Sequence, residues 1–217
     1  MSDYTLVIGS KNYSSWSVRP WLALKHLGLP FREVQIELFT PRGTEQLAAL
    51  APARKVPVLF DGSVVIWESL AIIEYLAETH PQLWPRDAAA RAHARAAAAE
   101  MHAGFAALRG AMPMNIRARG RRVARTPDIE RDIARLQQLW TQCRAQFGAG
   151  GPYLYGSFSA ADAMYAPVVW RFVTYGVQCA GLAADYVQHM LANPVMQELE
   201  RLAQADPTRI EMNETGL

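Results

Sequence analysis

"KVPVLFDGSVVIWESLAIIEYL", residues 55–76, is the stretch of sequence that decides the fold. Short apolar runs flank the dipeptide Asp61-Gly62, which is typical of a tight hairpin turn. Beyond Trp67 the apolar residues follow helical spacing until Pro81 ends the pattern. The stretch therefore predicts two antiparallel strands followed directly by a helix.

Towards the N-terminus, strands and helices alternate. "YTLVI" (4–8) is a β-branched run, and "VRPWLALKHLG" (18–28) carries apolar residues at helical spacing and closes on a glycine. "FREVQIEL" (31–38) alternates apolar and polar residues as a strand does, and "TEQLAALAP" (44–52) predicts a short helix. The first part of the chain therefore predicts the order β-α-β-α-β-β-α, which is an α/β unit with a mixed sheet.

The pattern changes after two closely spaced prolines. An alanine-rich stretch (88–112) favours a helix, "DIERDIARLQQLWTQCRAQFG" (128–148) predicts an amphipathic helix, and "ADAMYAPVVWRFVTYG" (161–176) is apolar nearly all round. A helix that is apolar on every side is a buried helix. We therefore predict a linker at residues 81–87, between a small α/β domain and an all-helical domain.

Composition and charge exclude several classes of function. A net charge of +2 over 217 residues gives no electrostatic case for nucleic acid as a partner. Cys143 and Cys179 form neither a Cys-x-x-Cys pair nor a zinc-type cluster, so we expect two free thiols in a reducing cytosol and no metal. The N-terminus lacks the regions of a signal peptide, and no run of eighteen apolar residues offers a membrane span. We expect a cytoplasmic protein.

Three motifs, in their order along the chain, resemble the cytosolic glutathione transferase family. They are "KVPVL" (55–59), "ESLAIIEYL" (68–76) and "GSFSAADAMYAP" (156–167). The resemblance implies a thioredoxin-like, glutathione-binding domain over residues 1–80 and an all-helical domain over residues 88–217. It also implies glutathione as co-substrate, a small electrophilic substrate, a homodimer, a role in detoxification, and a cis peptide bond between Val56 and Pro57.

Serines occupy the turn after the first strand, where thioredoxin-like domains carry Cys-x-x-Cys. Ser14, Ser15, Trp16 and Ser17 leave no redox thiol there, but a hydroxyl at a helix N-terminus can donate to an anion. Ionising a thiol of pKa about 8.5 at neutral pH requires about 2.7 kcal/mol. One hydrogen bond to a charged group contributes about 1.5–3 kcal/mol, so one serine suffices.

The alternative is that these serines only cap the helix, a role that contributes about 1 kcal/mol. If Ser17 is the cap, Pro20 falls in the first turn and the other two hydroxyls are free. The resemblance to the family then favours Ser14 as the hydroxyl that binds the thiol, with Ser15 a close second. "SSWSVR" is similar to Ser-Ser-Cys-Ser-x-Arg of the zeta class, although Trp16 stands in place of the cysteine.

The resemblance also assigns glutathione contacts. It implies that the backbone of Val56, before Pro57, pairs with the cysteinyl part. Ser69 would bind the γ-glutamyl carboxylate and Glu68 the adjacent ammonium. Lys55 and Arg42 are the candidate contacts to the glycyl carboxylate. Each of these residues also has a purely structural interpretation. Pro57 would be the first residue of a strand, Glu68 and Ser69 would favour the start of a helix, and Lys55 and Arg42 would be ordinary surface cations.

The second-substrate pocket is predicted around Trp16, Met112, Met114 and Arg117. Arg117 opens an arginine-rich segment, "RARGRRVAR" (117–125), which would attract an acidic substrate. Core packing for the methionines and a solvated turn for the arginines are the alternatives. "SAAD" (159–162) is a capping box and predicts structure only.

These residues predict a glutathione transferase that adds the glutathione thiolate to a small electrophile. The alternatives are a zeta-like cis-trans isomerase of an unsaturated diacid, of the maleylacetoacetate type, and a glutathione-dependent reductase, which the missing cysteine disfavours. The alternative from another class is a noncatalytic interaction module with the same fold. Such a module would have no need for the combination of Ser14, Val56-Pro57, Glu68 and Ser69.

Overall fold

The computed structural model describes residues 4–216, so that residues 1–3 and 217 of the predicted domains lie outside the description. Four strands form one mixed sheet in the order β2-β1-β3-β4. The strands are β1 (Tyr4–Ile8), β2 (Phe31–Gln35), β3 (Val58–Asp61) and β4 (Val64–Trp67). β1 pairs with β2 in parallel and with β3 antiparallel, and β3 and β4 form the hairpin predicted at Asp61-Gly62.

Three helices complete the first unit: α1 (Ser15–His26), α2 (Pro41–Leu50) and α3 (Ser69–Thr79). The order β-α-β-α-β-β-α and the thioredoxin-like prediction are confirmed. The second strand ends at Gln35, shorter than predicted. α2 begins at Pro41, earlier than predicted, because the Thr40 hydroxyl caps it by accepting a hydrogen bond from the Gly43 N–H at 3.0 Å.

The second unit is helical, as predicted. It contains α4 (Ala88–Ala103), α5 (Ala106–Ala111), α6 (Pro127–Phe147), α7 (Ala160–Thr174), α8 (Gly181–Ala192) and α9 (Pro194–Ala205). The single helix predicted over 88–112 is wrong, since Gly104 and Phe105 interrupt it. Phe105 takes a left-handed conformation, with φ of 59°, and is buried in the core, so burial of its ring accompanies the break.

The core is continuous across both units. α7 is buried on nearly every side, as its composition predicts, and one face of it packs against α1 of the first unit. Asp162 accepts hydrogen bonds from the Ser159 N–H and hydroxyl, both at 2.8 Å, and forms the predicted capping box at the start of α7. This packing fixes the start of α1 relative to the helical unit.

No helix among residues 4–216 is long and apolar enough to cross a membrane. No group of three or more His, Cys, Asp or Glu side chains in this part of the chain is arranged to hold a metal ion. Cys143 and Cys179 are both free thiols.

Candidate functional site

The start of α1 differs from the prediction in one respect. Ser14, not Ser17, occupies the N-cap position, and Ser17 lies inside the first turn. The Ser17 Oγ accepts from the Gly9 N–H at 3.1 Å and lies 2.8 Å from the Ser14 Oγ. The expectation that Ser17 caps the helix and that Pro20 falls in its first turn is therefore wrong, because the helix begins two residues before Ser17.

Pro20 changes the hydrogen bonding of α1. In a regular helix the N–H of residue 20 would bond to the carbonyl of Trp16, but proline has no N–H. The Ser69 hydroxyl donates to this carbonyl instead, at 3.0 Å. Ser69 is fully buried, so its hydroxyl ties α1 to α3, and only its backbone N–H at the start of α3 remains for an anionic ligand.

A cleft of about 200 Å³ lies between the two units. Five residues of the predicted site line it together with Ala53, Trp67 and His102; the five are Trp16, Lys55, Val56, Pro57 and Glu68. The predicted cis bond between Val56 and Pro57 is confirmed. Neither the N–H nor the C=O of Val56 has a protein partner within residues 4–216, so both are available to a peptide-like ligand.

Glu68 is held in an unusual conformation where β4 meets α3. Its φ is 70°, which is uncommon for a residue other than glycine, and its side chain is exposed at the cleft. Such conformations concentrate at binding sites. The structure thus brings Glu68 and Lys55 to the same cleft, while Ser14 and Ser15 lie at the start of α1, next to the cleft residue Trp16.

Three arginines without a carboxylate partner in the described part of the chain surround the start of α1. Arg19 and Arg171 are buried and donate mainly to backbone carbonyl groups. Arg171 also donates to the Ser15 Oγ at 3.3 Å, and the Nη2 of Arg19 has no hydrogen-bond partner among residues 4–216. The Trp16 ring centre lies 4.1 Å from the guanidinium carbon of Arg19 and 4.5 Å from that of Arg109.

The charges of these arginines are destabilised in the absence of an anion. Burial and the neighbouring charges of Arg171 and Arg109 lower the pKa of Arg19. Burial and the charge of Arg109 lower the pKa of Arg171 to about 10. A buried cation is costly unless it is paired, so an anionic group placed among these three side chains would relieve the repulsion. Sequence reasoning missed this cluster because its members stand far apart in the chain.

Three predicted pocket residues lie elsewhere. Met112 and Met114 are fully buried in the core and do not line the cleft, so the pocket prediction for them does not hold. Arg117 also lies away from the cleft: its guanidinium donates to the Asp206 carbonyl, to the Thr208 carbonyl at 2.7 Å and to the Tyr13 hydroxyl at 2.8 Å. These contacts tie Arg117 to the loop before α1 and to the segment after α9.

Two family models match this arrangement of a mixed-sheet unit followed by helices. The glutathione S-transferase N-terminal domain matches residues 13–79, and the glutathione S-transferase C-terminal domain matches residues 126–204. Together they span about two thirds of the chain. The chain belongs to the glutathione S-transferase family.

The similar proteins include two kinds, maleylacetoacetate isomerases and stringent starvation protein A homologs. A probable maleylacetoacetate isomerase of Caenorhabditis elegans is 48% identical over 84 residues, a segment that covers 38% of this chain and 38% of that protein. The chain therefore matches well under half of the length of that relative. A stringent starvation protein A homolog of Coxiella burnetii is 28% identical over 185 residues, 84% of this chain and 82% of the relative.

Among solved structures, a glutathione transferase homolog from a Burkholderia species, with bound glutathione, has a TM-score of 0.71. It is 22% identical and covers 94% of this chain and 100% of its own. At that identity the likeness shows the fold alone, which is a thioredoxin-like domain joined to a helical domain.

Proposed function

We propose that this chain is a glutathione transferase that binds reduced glutathione in the cleft and adds its thiolate to a small electrophile. The observation that carries the proposal is the cleft itself. It presents the unpaired backbone of Val56, the carboxylate of Glu68 and the ammonium of Lys55 around one space, which suits a short zwitterionic peptide. The N-terminus of α3 adds the N–H of Ser69 for a carboxylate.

Ser14 is the better candidate for binding the thiol. It is half-buried, whereas Ser15 is only 8% exposed and its Oγ accepts from Arg171. The Ser17 Oγ accepts from the Gly9 N–H, so the Ser17 hydroxyl proton can go to the Ser14 Oγ. The proton of Ser14 is then free for a thiolate, and the helix N-terminus adds favourable potential.

The arginine cluster favours an electrophile that carries a carboxylate. Within the described residues, Arg19, Arg109 and Arg171 make no hydrogen bond or ion pair with a carboxylate, and they contact Ser15 or Trp16 at the start of α1. This supports a second candidate function, the cis-trans isomerisation of an unsaturated diacid, to which the similarity to maleylacetoacetate isomerases also points. Trp16 in place of the cysteine of the zeta class is the feature that favours simple transfer.

The remaining expectations follow from family membership. We propose a homodimer, as the resemblance implies, and a cytoplasmic location, which the two free thiols support because such thiols persist in a reducing compartment. Neither a metal nor a nucleic acid has a part in the proposed reaction.

Calorimetry of glutathione binding, together with ultraviolet absorbance of the thiolate across pH, tests the proposal. We compare the wild type with Ser14→Ala and Ser15→Ala, and use Ser63→Ala, in the exposed hairpin turn, as the matched control. Ser14→Ala is expected to keep the affinity for glutathione but raise the pKa of the bound thiol by about 1–2 units, because one charge-assisted hydrogen bond is lost. The rate of transfer at neutral pH should fall by about 10–100-fold.

Two outcomes would contradict the proposal. If the wild type does not bind glutathione at millimolar concentration, the fold serves as a noncatalytic interaction module. If Ser15→Ala raises the pKa of the thiol and Ser14→Ala does not, the roles of the two serines are exchanged. Isomerisation of a cis unsaturated diacid that requires glutathione but does not consume it would favour the second candidate function.

A further inference from the structure

The loop that carries Ser14 is held by the helical unit. Asn12 is fully buried, its Nδ2 donates to the Asn115 Oδ1 at 3.0 Å, and its Oδ1 accepts from the Arg117 N–H at 2.9 Å. The Asn12 carbonyl accepts from the Ile116 N–H at 3.3 Å. The backbone just before the proposed thiol-binding serine is thus fixed to a segment about a hundred residues away in the chain.

The C-terminal tail, residues 206–216, closes this network through one carboxylate. The Glu214 Oε1 accepts from the Tyr13 hydroxyl at 2.5 Å and from the Asn115 Nδ2 at 3.1 Å. The Oε2 pairs with Arg121, and the side chains of this pair are only 9% and 13% exposed. Three donors therefore converge on a largely buried carboxylate.

Two of the three contacts of Glu214 connect it to the loop that carries Ser14. Through Tyr13 it contacts the residue adjacent to Ser14, and through Asn115 it contacts the partner of Asn12. Hydrogen bonds from Tyr13 and Asn115 and the charge of Arg121 outweigh burial and hold the pKa of Glu214 below its ordinary value. The carboxylate is ionised at neutral pH, and such charge-assisted bonds are the strong ones.

We propose that Glu214 is a positioning residue: its carboxylate holds the loop of residues 9–14 against the helical unit, so that the Ser14 hydroxyl faces the thiol of glutathione. The inference rests on the proposed function, because it gives Glu214 an effect on the ionisation of the bound thiol. It also makes the geometry of Ser14 depend on a tail that lies about 200 residues further along the chain. Residues 13 and 214, which are far apart in the sequence, therefore meet next to Ser14.

The test compares Glu214→Gln with Glu211→Gln. Glu211 belongs to the same tail, but it is exposed, and among residues 4–216 its side chain pairs only with the exposed Arg209, so it is the matched control. The first measurement is hydrogen exchange, without ligand, at the N–H groups of Tyr13 and Ser14, which donate to the Ser10 carbonyl at 3.2 and 2.8 Å. The second measurement is the pH profile of the thiol of bound glutathione.

We expect Glu214→Gln to speed exchange at both N–H groups by on the order of tenfold, because the loop opens more often. The pH profile of the thiol should move upward by about one unit while the affinity for glutathione changes by less than about threefold. Glu211→Gln should change neither quantity. If Glu214→Gln does not fold, Tyr13→Phe removes the Tyr13 hydroxyl, and with it the contacts to Glu214 and to Arg117, and is expected to give the same changes at smaller size.

Faster exchange without a change in the pH profile would overturn the positioning role and leave Glu214 as a structural residue. Unchanged exchange would overturn the proposal at its first step. If wild-type protein does not lower the pKa of the glutathione thiol, the proposed function fails and the positioning role fails with it. Hydrogen exchange is measured without glutathione, so it shows whether Glu214 holds the loop even if the proposed function fails. It therefore distinguishes a failure of the proposed function from a failure of the contact between the tail and the loop.

Discussion

At the scale of single residues, the hydroxyl of Ser69 replaces a backbone donor that Pro20 removes. We expect Ser69→Ala to lower the free energy of unfolding by about 1–3 kcal/mol, because the partly buried Trp16 carbonyl then loses the hydroxyl that donates to it. Urea denaturation measures the loss. Ser63→Ala, in the exposed hairpin turn, is the control and should change stability by less than about 0.5 kcal/mol.

A double-mutant cycle identifies the cause. Pro20→Ala restores an N–H in the second turn of α1, which can bond to the Trp16 carbonyl. In that background Ser69→Ala should cost about 1 kcal/mol less than in the wild type. Equal costs in both backgrounds would mean that Ser69 matters for packing and not for the carbonyl.

Some residue-scale features can be predicted from the sequence because their causes are local. The left-handed Gly28 at the end of α1 and the cis bond before Pro57 depend on the residues themselves and on a short family motif. The contact between Ser69 and Trp16 and the cluster of Arg19 with Arg171 join residues 53 and 152 positions apart. Only the packing of α1 against α3 and α7 creates them.

At the scale of elements, the capping box of α7 gives a pH-dependent stability. Burial raises the pKa of Asp162 from its ordinary value of 3.8 to about 6. The folded state thus binds this proton more tightly than the unfolded state, so stability from this group falls as the pH rises between those two values. We expect the advantage of the wild type over Asp162→Asn in free energy of unfolding to shrink by about 1–3 kcal/mol across this window.

Urea denaturation between about pH 4 and about pH 7 measures this difference. Asp128→Asn, which removes an exposed carboxylate in the first turn of α6, serves as the control. The difference in free energy of unfolding between the wild type and this variant should change much less with pH. If the advantage of the wild type over Asp162→Asn in free energy of unfolding grows as the pH rises, the pKa of Asp162 is not raised.

Most elements follow from the sequence because hydrophobic periodicity and turn residues mark them. The hairpin at Asp61-Gly62 and the all-round apolar α7 appear as predicted. The alanine-rich stretch is the exception, since helix propensity alone predicts one helix across Gly104 and Phe105. The structure instead turns the chain there and buries the phenylalanine ring, so tertiary packing overrides propensity.

At the scale of the whole molecule, the two units should unfold together. One continuous hydrophobic cluster includes Trp21 and Leu24 of α1 together with Tyr165 and Val168 of α7. Tryptophan fluorescence and far-ultraviolet circular dichroism should therefore report the same midpoint in guanidinium chloride. Separate midpoints would show that the units are independent. A fragment that ends at residue 87 should not fold, because it exposes the face of α1 that α7 covers.

Burial of Cys143 protects the protein from the compound that it is proposed to use. Glutathione is a thiol, and its disulfide exchanges with accessible protein thiolates. Cys143 is fully buried, and burial raises the pKa of Cys143, and likewise of Cys179, to about 11. At neutral pH only on the order of one molecule in ten thousand would carry either thiolate. Formation of a mixed disulfide between either thiol and oxidised glutathione should therefore be slow at neutral pH.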